Sequence, residues 1–375
     1  MKKLTLVLIG LMACFAIGVS TSRGQIFYSL EDLGVVKGMD SSEPAAINNQ
    51  AQVAGTAYKG EETCAYQYDY LQKFMADAGG VNSRGFGISS TNLVVGDAFF
   101  VGMGPMLASH AALFKGGLPS DLGVLKGQVY SRANGINAFG QVVGFSGQTR
   151  DGSDSKAFIW TSQTGMIDIG TLGGAYAQAY AINDLGFVTG ASQTAGGGPI
   201  LTTHAFIYRP LSNTAGAVYQ PMRDLGVLGS GESSCGTAVN SYNHVVGYST
   251  LKRNDPRMHG FFYNGKSMID LGSLGGEGNR WGSDVSAALG VNNFDLVVGY
   301  SYLPVVGEMP IQQVAFLWRR GQMMNLNSLL AWSQRNYLLI SATAINDNGQ
   351  IVASAYNLDT GELRSVLLTP NGPTQ

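Results

Sequence analysis

The chain has 375 residues, enough for one large or two ordinary domains. Its 52 glycines and 13% charged residues suit many short strands joined by glycine turns, and they disfavour a helical protein, which needs Glu, Lys and Ala on its solvated faces. A formal charge of −2 gives no basic surplus, which argues against nucleic acid or an anionic membrane as partner.

The N-terminus reads as an export signal. Lys2 and Lys3 form the positive end, Leu4 to Val19 is almost wholly apolar, and small residues follow at Ser20-Thr21-Ser22-Arg23-Gly24. Residues 1–24 are assigned to a signal peptide and residues 25–375 to a single domain. Cleavage there removes three basic residues and no acid, which moves the formal charge to −5. A rival reading takes Leu11-Met12-Ala13-Cys14 as a lipoprotein box with a lipid anchor at Cys14, against which Met12 is an unusual choice. No later segment is long and apolar enough to span a bilayer. The expected location is extracellular, on the cell surface or in the periplasm.

From residue 26 onward, four short motifs recur in fixed order. The first element is a strand over 26–33 ending in Asp32-Leu33-Gly34 (motif D). Motif A follows, ending in Ile47-Asn48, then motif B, Gln52-Val53-Ala54-Gly55, an apolar run closed by Gly and read as ending in a small residue. Motif C is the aromatic strand Cys64-Ala65-Tyr66-Gln67-Tyr68, and motif D returns as Asp77-Ala78-Gly79. Motif A recurs at Ile88-Ser89, Ile136-Asn137, Ile182-Asn183, Val239-Asn240, Val291-Asn292 and Ile345-Asn346, at intervals of 41, 48, 46, 57, 52 and 54 residues. That period belongs to propeller blades and not to the shorter coils of a β-helix.

The last copy ends with motif C, and its missing D strand is the one at residues 26–33. Complementary ends of this kind close a ring and leave no fully open sheet edge. The fold predicted is therefore all-β: a seven-bladed β-propeller with four antiparallel strands per blade, the N-terminal strand completing the last blade. Between motifs A and B the pattern Asn-x-x-Gly, with Asn92, Asn243 or Asp295 as alternatives and Ala51 as the exception, predicts a tight hairpin whose last turn residue has positive φ.

The conjunction of His204-Ala205-Phe206, Asp-Leu-Gly-x-Leu-Gly-Gly, Ile-Asn and Val-Val-Gly-x-Ser resembles the HAF repeat of extracellular bacterial proteins, over about residues 28–369. The resemblance implies an exported repeat protein and no defined reaction.

Repetition removes most candidates for chemistry. His110, His204 and His259 share one position of motif C in different blades, so they are expected to bond the motif D Asp within a blade and not to converge on a metal. An Asp needed in every copy stabilises a turn. Leu172-Gly173-Gly174 and Leu274-Gly275-Gly276 lack the Lys-Ser/Thr end of a phosphate loop and read as connections between blades. Asp151-Gly152-Ser153-Asp154-Ser155 falls short of a calcium loop. Cys64 and Cys235 lie on blades 1 and 5, further apart than the ~7 Å that a disulfide spans, and are expected to be free. No cofactor, metal or catalytic set is assigned, and a monomer is expected.

The A–B and C–D connections are short, whereas the B–C and D–A connections are long and emerge together on one face. Loops on a rigid scaffold are where binding concentrates. The long ones carry Arg150, Arg253, Arg257, Arg280 and Trp281, types enriched at binding hot spots. The sequence thus favours an exported, non-catalytic module that binds protein or glycan through this face, over an exported propeller hydrolase or lyase acting on glycans.

Overall fold

The computed structural model describes residues 27–100, 108–195, 202–209, 221–275, 284–304 and 312–372. They form seven four-stranded antiparallel sheets arranged as the blades of a propeller. Blade 1 consists of strands A to D at Ser41–Ile47, Val53–Lys59, Glu62–Asp69 and Phe74–Asp77. Blades 2 to 6 repeat that order. Blade 7 takes Tyr337–Ile345, Ile351–Asn357 and Leu363–Pro370, and its fourth strand is Tyr28–Asp32, paired from Tyr28↔Pro370 to Asp32↔Val366. The ring is closed as the split repeat predicts. The A strands of neighbouring blades touch one another all the way round and form the inner wall.

Repeated residues hold the blades in this shape. Each A strand has a β-bulge, as between Ala133 and Gly135 in blade 3, and the bulge drives a carbonyl against the neighbouring B strand. A Cβ on Gly144 would lie 1.9 Å from the Arg132 carbonyl oxygen, and one on Gly247 would lie 1.8 Å from that of Cys235. Motif B therefore needs glycine for space. In blade 7 a second bulge, between Leu339 and Ser341, accompanies Ala353 at this position.

A repeated serine that stands out little in the sequence stitches the seams. Ser131 Oγ accepts from Ala111 N of blade 2 at 2.8 Å and donates to the Gly123 carbonyl at 2.6 Å. Ser83, Ser234 and Ser286 accept the same bond from the preceding blade. Ser42 accepts it from Ser365 N at 3.0 Å, across the closing seam.

Three expectations are corrected. Gly173 and Gly174 open the A strand Gly173–Ile182 and are not only a connection, because that strand begins early and pairs Gly173 with Thr194. The residue after the motif B glycine is small only in some blades: it is Asp97, Phe145, Tyr248 and Tyr300 in blades 2, 3, 5 and 6. The C–D connection of blade 4, between Tyr208 and Arg223, is long, so variable chain also leaves the opposite face.

Candidate ligand site at the long-loop mouth

The A–B turns surround one mouth of the channel, a shallow cup of about 240 Å³ lined by the same turn positions of all seven blades. The turn chemistry is as the sequence predicts: φ is positive at Gly140 (74°), Asn92 (67°), Asn243 (64°) and Asp295 (57°), and the exception Ala51 adopts it too, at 59°. Asn137 Oδ1 accepts from Phe139 N and Gln141 N at 3.1 and 3.0 Å. Its Nδ2 does more, donating to the Asn183 carbonyl of the next blade at 3.1 Å. Asn48, Asn183, Asn240, Asn292 and Asn346 make the same clasp, and Asn346 reaches Asn48 to complete the circle. Ser89 breaks the belt between blades 2 and 3, since its hydroxyl stays with Thr91 and Leu93 of its own turn. Around this cup Phe139, Leu185, Tyr242 and Phe294 stand exposed at one turn position of four successive blades.

The other half of the channel wall differs in kind. Where the B-strand glycine sits, each blade pairs small residues: Pro44↔Gly55, Gly85↔Gly96, Ala133↔Gly144, Ala179↔Gly190, Gly236↔Gly247, Ala288↔Gly299 and Ala342↔Ala353. One step toward the long loops the pairs are Glu43↔Thr56, Arg84↔Asp97, Arg132↔Phe145, Gln178↔Ala191, Cys235↔Tyr248, Ala287↔Tyr300 and Ser341↔Ser354. No pair is repeated. A scaffold that fixes its neighbours so tightly leaves this register to each blade separately.

The charge at this level concentrates where blades 2 and 3 meet. Asp97, 2% exposed, accepts from Arg84 Nε at 2.9 Å, from Arg84 Nη2 and from Ser109 Oγ at 3.1 Å. Arg132 of blade 3 stands 3.5 Å from the same carboxylate. Its guanidinium lies 5.0 and 5.2 Å from the ring centres of Phe86 and Phe145. Burial, and then Arg84, hold the Arg132 guanidinium below its ordinary pKa. Further round, Tyr176, Tyr180, Cys235 and Tyr248 line a cavity of about 150 Å³. Burial pushes the Tyr176 hydroxyl up to about 12 and raises Tyr180 as well, so both donate at neutral pH.

Of the candidates named from the sequence, Arg150 lies 4.8 Å over the Phe99 ring, bridging blades 3 and 2. Arg253 pairs with Glu232 at 3.1 Å and is exposed. Arg257 forks onto Asp255 and faces Asp284 at 3.6 Å; its hydrogen bonds hold the Asp255 carboxyl down to about 2. The structure therefore separates Arg150 from Arg253 and Arg257 by two blades. Arg280, Trp281 and Cys14 lie outside the described residues, as do residues 1–24. Arg84 and Arg132 were missed because they sit inside strands. The signal that finds them is the one motif position that fails to repeat.

The histidines behave as blade residues. Nδ1 of His110, His204 and His259 lies 2.9, 2.8 and 2.8 Å from Asp121, Asp224 and Asp270. The same aspartates cap the backbone N–H two residues on. Among the described residues, His259 alone of the three adds a second acid, Asp284, at 2.9 Å from Nε2. Ser273 bonds Asp284 as well, at 2.7 Å, so the hydroxyl meets the carboxylate and not the imidazole, unlike a nucleophile activated by its base. His244 bonds Asp295 of the next blade at 2.8 Å. Asp154 accepts from the backbone N–H of Gln148 and Thr149 at 3.1 and 3.2 Å, so it ties its own loop. Cys64 and Cys235 are buried and unbridged.

Residues 173–363, just over half of the chain, match the family described as Protein of unknown function (DUF3466). The chain belongs to that family. The DUF3466 stretch runs from the A strand of blade 4 to the start of the C strand of blade 7, so Arg84, Arg132 and Arg150 precede it. No curated protein matches the sequence. Among solved structures, this DUF3466 chain is similar to the β-propeller domain of the Trilobed protease from Pyrococcus furiosus, described as having an open velcro topology. The identity is 10% and the TM-score 0.53, with 90% of this chain and 94% of that one covered. TolB from Acinetobacter baumannii is more distant, with a TM-score of 0.41 at 14% identity over 61% of this chain and 53% of that one. The likeness to the first is one of fold.

Proposed function

We propose that this protein is an exported, non-catalytic binding module of HAF-repeat type, which takes a glycan or protein ligand at the long-loop mouth of its channel. One observation carries the reading. The register behind that mouth holds seven different residue pairs, while the steps beside it and the opposite mouth repeat from blade to blade. A ring that only needed to hold together would repeat that register too. Binding is favoured over hydrolysis because the buried carboxylate at this level, Asp97, is spent on Arg84 and Ser109 and is not free to act as an acid or base. The apolar start of the chain, from Leu4 to Val19, supports export.

The test is a glycan and secreted-protein binding screen with three proteins. These are the wild type, an Arg150→Ala/Arg257→Ala variant of the long-loop face, and a variant with Phe139, Leu185, Tyr242 and Phe294 changed to Ser. The expected hit is weakened at least about tenfold by the arginine changes and is unaffected by the turn changes. Loss with the turn variant alone would move the site to the opposite face. Export is tested by fusing residues 1–30 to a reporter that is active only outside the cytoplasm, where a silent fusion would count against it.

A further inference from the structure

We propose that Arg132 is the anchor for a carboxylate group of the ligand, held at the seam of blades 2 and 3. The inference rests on the binding-module reading for its location and adds the chemistry of the ligand.

Three observations meet at this residue. First, Asp97 does not need it. That carboxylate already accepts three hydrogen bonds, two of them from the Arg84 fork, and Arg84 alone balances its charge. Second, Arg132 is a cation held mostly out of water and only loosely paired with Asp97. Its side chain is 24% exposed, its Nε is buried with no hydrogen-bond partner, and Asp97 at 3.5 Å is past good hydrogen-bond range. Desolvating a charge that is not fully paired is costly, so a fold has no reason of its own to keep it there. Third, the group is fixed. The rings of Phe86 and Phe145 lie within cation–π range and hold the guanidinium in place, while the fraction still exposed leaves it reachable.

Charge selects the ligand class. Arg84, Arg132 and Asp97 together carry one net positive charge, which one monoanion balances. A dianionic phosphate would set its second charge close to Asp97. A guanidinium fork matches a planar carboxylate in two parallel hydrogen bonds. Glu43, the other acid in this register, lies beside the Tyr58 hydroxyl, whose pKa is raised by burial and then by Glu43. Tyr180 of blade 4 lies within electrostatic reach of Arg132 but gives its hydroxyl proton to Gln178 Oε1 at 2.6 Å, which leaves the Tyr176 hydroxyl for the rest of a polar ligand. A uronic acid sugar and a peptide C-terminus present the same carboxylate.

The experiment uses four probes on the chain from residue 25: D-glucuronate, N-acetylglycine, D-glucose and inorganic phosphate. At about ten times its dissociation constant, at least one carboxylate is expected to raise the melting temperature by roughly 2 °C, and glucose and phosphate are not. Which carboxylate does so distinguishes sugar from peptide. Arg132→Met is expected to weaken that binding at least about tenfold, the worth of one charged hydrogen bond. Without any probe, Arg132→Met should melt at or above the wild-type temperature, because the unused cation is gone. Arg84→Met should melt below it, because Asp97 is left buried and unpaired. The inference is overturned if neither carboxylate shifts the wild type, if the shift survives in Arg132→Met, or if Arg132→Met melts as low as Arg84→Met, which would make Arg132 a structural stitch. A screened ligand that is neutral, keeps its affinity in Arg132→Met and loses it in the Arg150/Arg257 variant would sink the carboxylate and leave the binding module standing.

Discussion

Gly144 has no freedom to be anything larger, and the reason is a carbonyl. The bulge in the adjoining A strand sets the Arg132 oxygen 1.9 Å from where a Cβ would be, and backbone cannot retreat as a side chain can. Gly144→Ala is therefore expected to cost about 3 kcal/mol, the upper range for overpacking, seen as a lower midpoint in urea with an unchanged slope. Ala51 is the opposite case. It holds φ at 59°, where other blades use Gly, Asn or Asp, and the left-handed region strains any residue with a Cβ. Ala51→Gly should stabilise the protein by about 1 kcal/mol in the same measurement. His259 adds a dependence on pH. Burial works against its charge, but the hydrogen bonds its ring donates to Asp270 and Asp284 outweigh that, and its pKa lies above the ordinary 6.5. Arg257 is the other charged group facing Asp284. Because the folded value is the higher one, the stabilisation is fully present below pH 6.5 and is lost as pH rises through the folded value. Unfolding measured from pH 5 to 9 should show that decline in the wild type and a flatter profile in His259→Gln. A matching decline in both would remove His259 as its source.

At the scale of the element, the A–B hairpin does two jobs with one asparagine. Its oxygen closes the turn and its nitrogen ties the blade to the next one, so a residue that reads as turn chemistry is also a seam. Asn240→Ala strands the backbone N–H groups of Tyr242 and His244 and cuts the tie to the Asn292 carbonyl, which keeps only Asp295 N. It should cost about 2–3 kcal/mol, more than Ser89→Ala, which breaks no clasp. Equal losses for the two, in thermal or urea unfolding, would show that the clasp adds nothing. The sequence showed half of this arrangement. The turn was legible because Gly140, Asn243 and Asp295 answer a local backbone demand that recurs every blade. The clasp was not, because its acceptor lies on another blade, 52 residues away for Asn240. The His–Asp pairs were legible since both partners belong to one repeat. Arg84 and Arg132 were hidden by the same logic: they matter by being unrepeated, and a repeat search reads an unrepeated residue as noise. The loops of one face were seen as variable from their lengths alone, which put Arg150, Arg253 and Arg257 in one group although their blades hold the latter two apart from the first.

The whole molecule depends on a strand that arrives from the far end of the chain. Tyr28–Asp32 pairs with Leu363–Pro370 on one side, and on the other it is held by Gln334, whose side chain accepts from Leu30 N at 2.8 Å and donates to Leu30 O at 2.7 Å. Tyr28 is fully buried among Leu317, Leu326, Leu330 and Leu368 of blades 6 and 7. Ser42 takes its bond from Ser365, so the first and last blades share the seam that Ser83, Ser131, Ser234 and Ser286 make elsewhere in the ring. The closed ring leaves only the outer D strands as sheet edges, and removing Tyr28–Asp32 bares the whole length of Leu363–Pro370 to any strand that comes by. Removing residues 27–34 should therefore do more than loosen blade 7. It should lower the melting temperature of the entire domain in one transition and produce dimers or larger species by size exclusion. A synthetic peptide of residues 27–36 added in excess should restore both the melting temperature and the monomer, because strand pairing and the Tyr28 pocket do not require a covalent link. A truncated chain that stays monomeric and melts where the full one does would mean that the inner wall of A strands, with its serine and asparagine seams, holds the ring shut unaided.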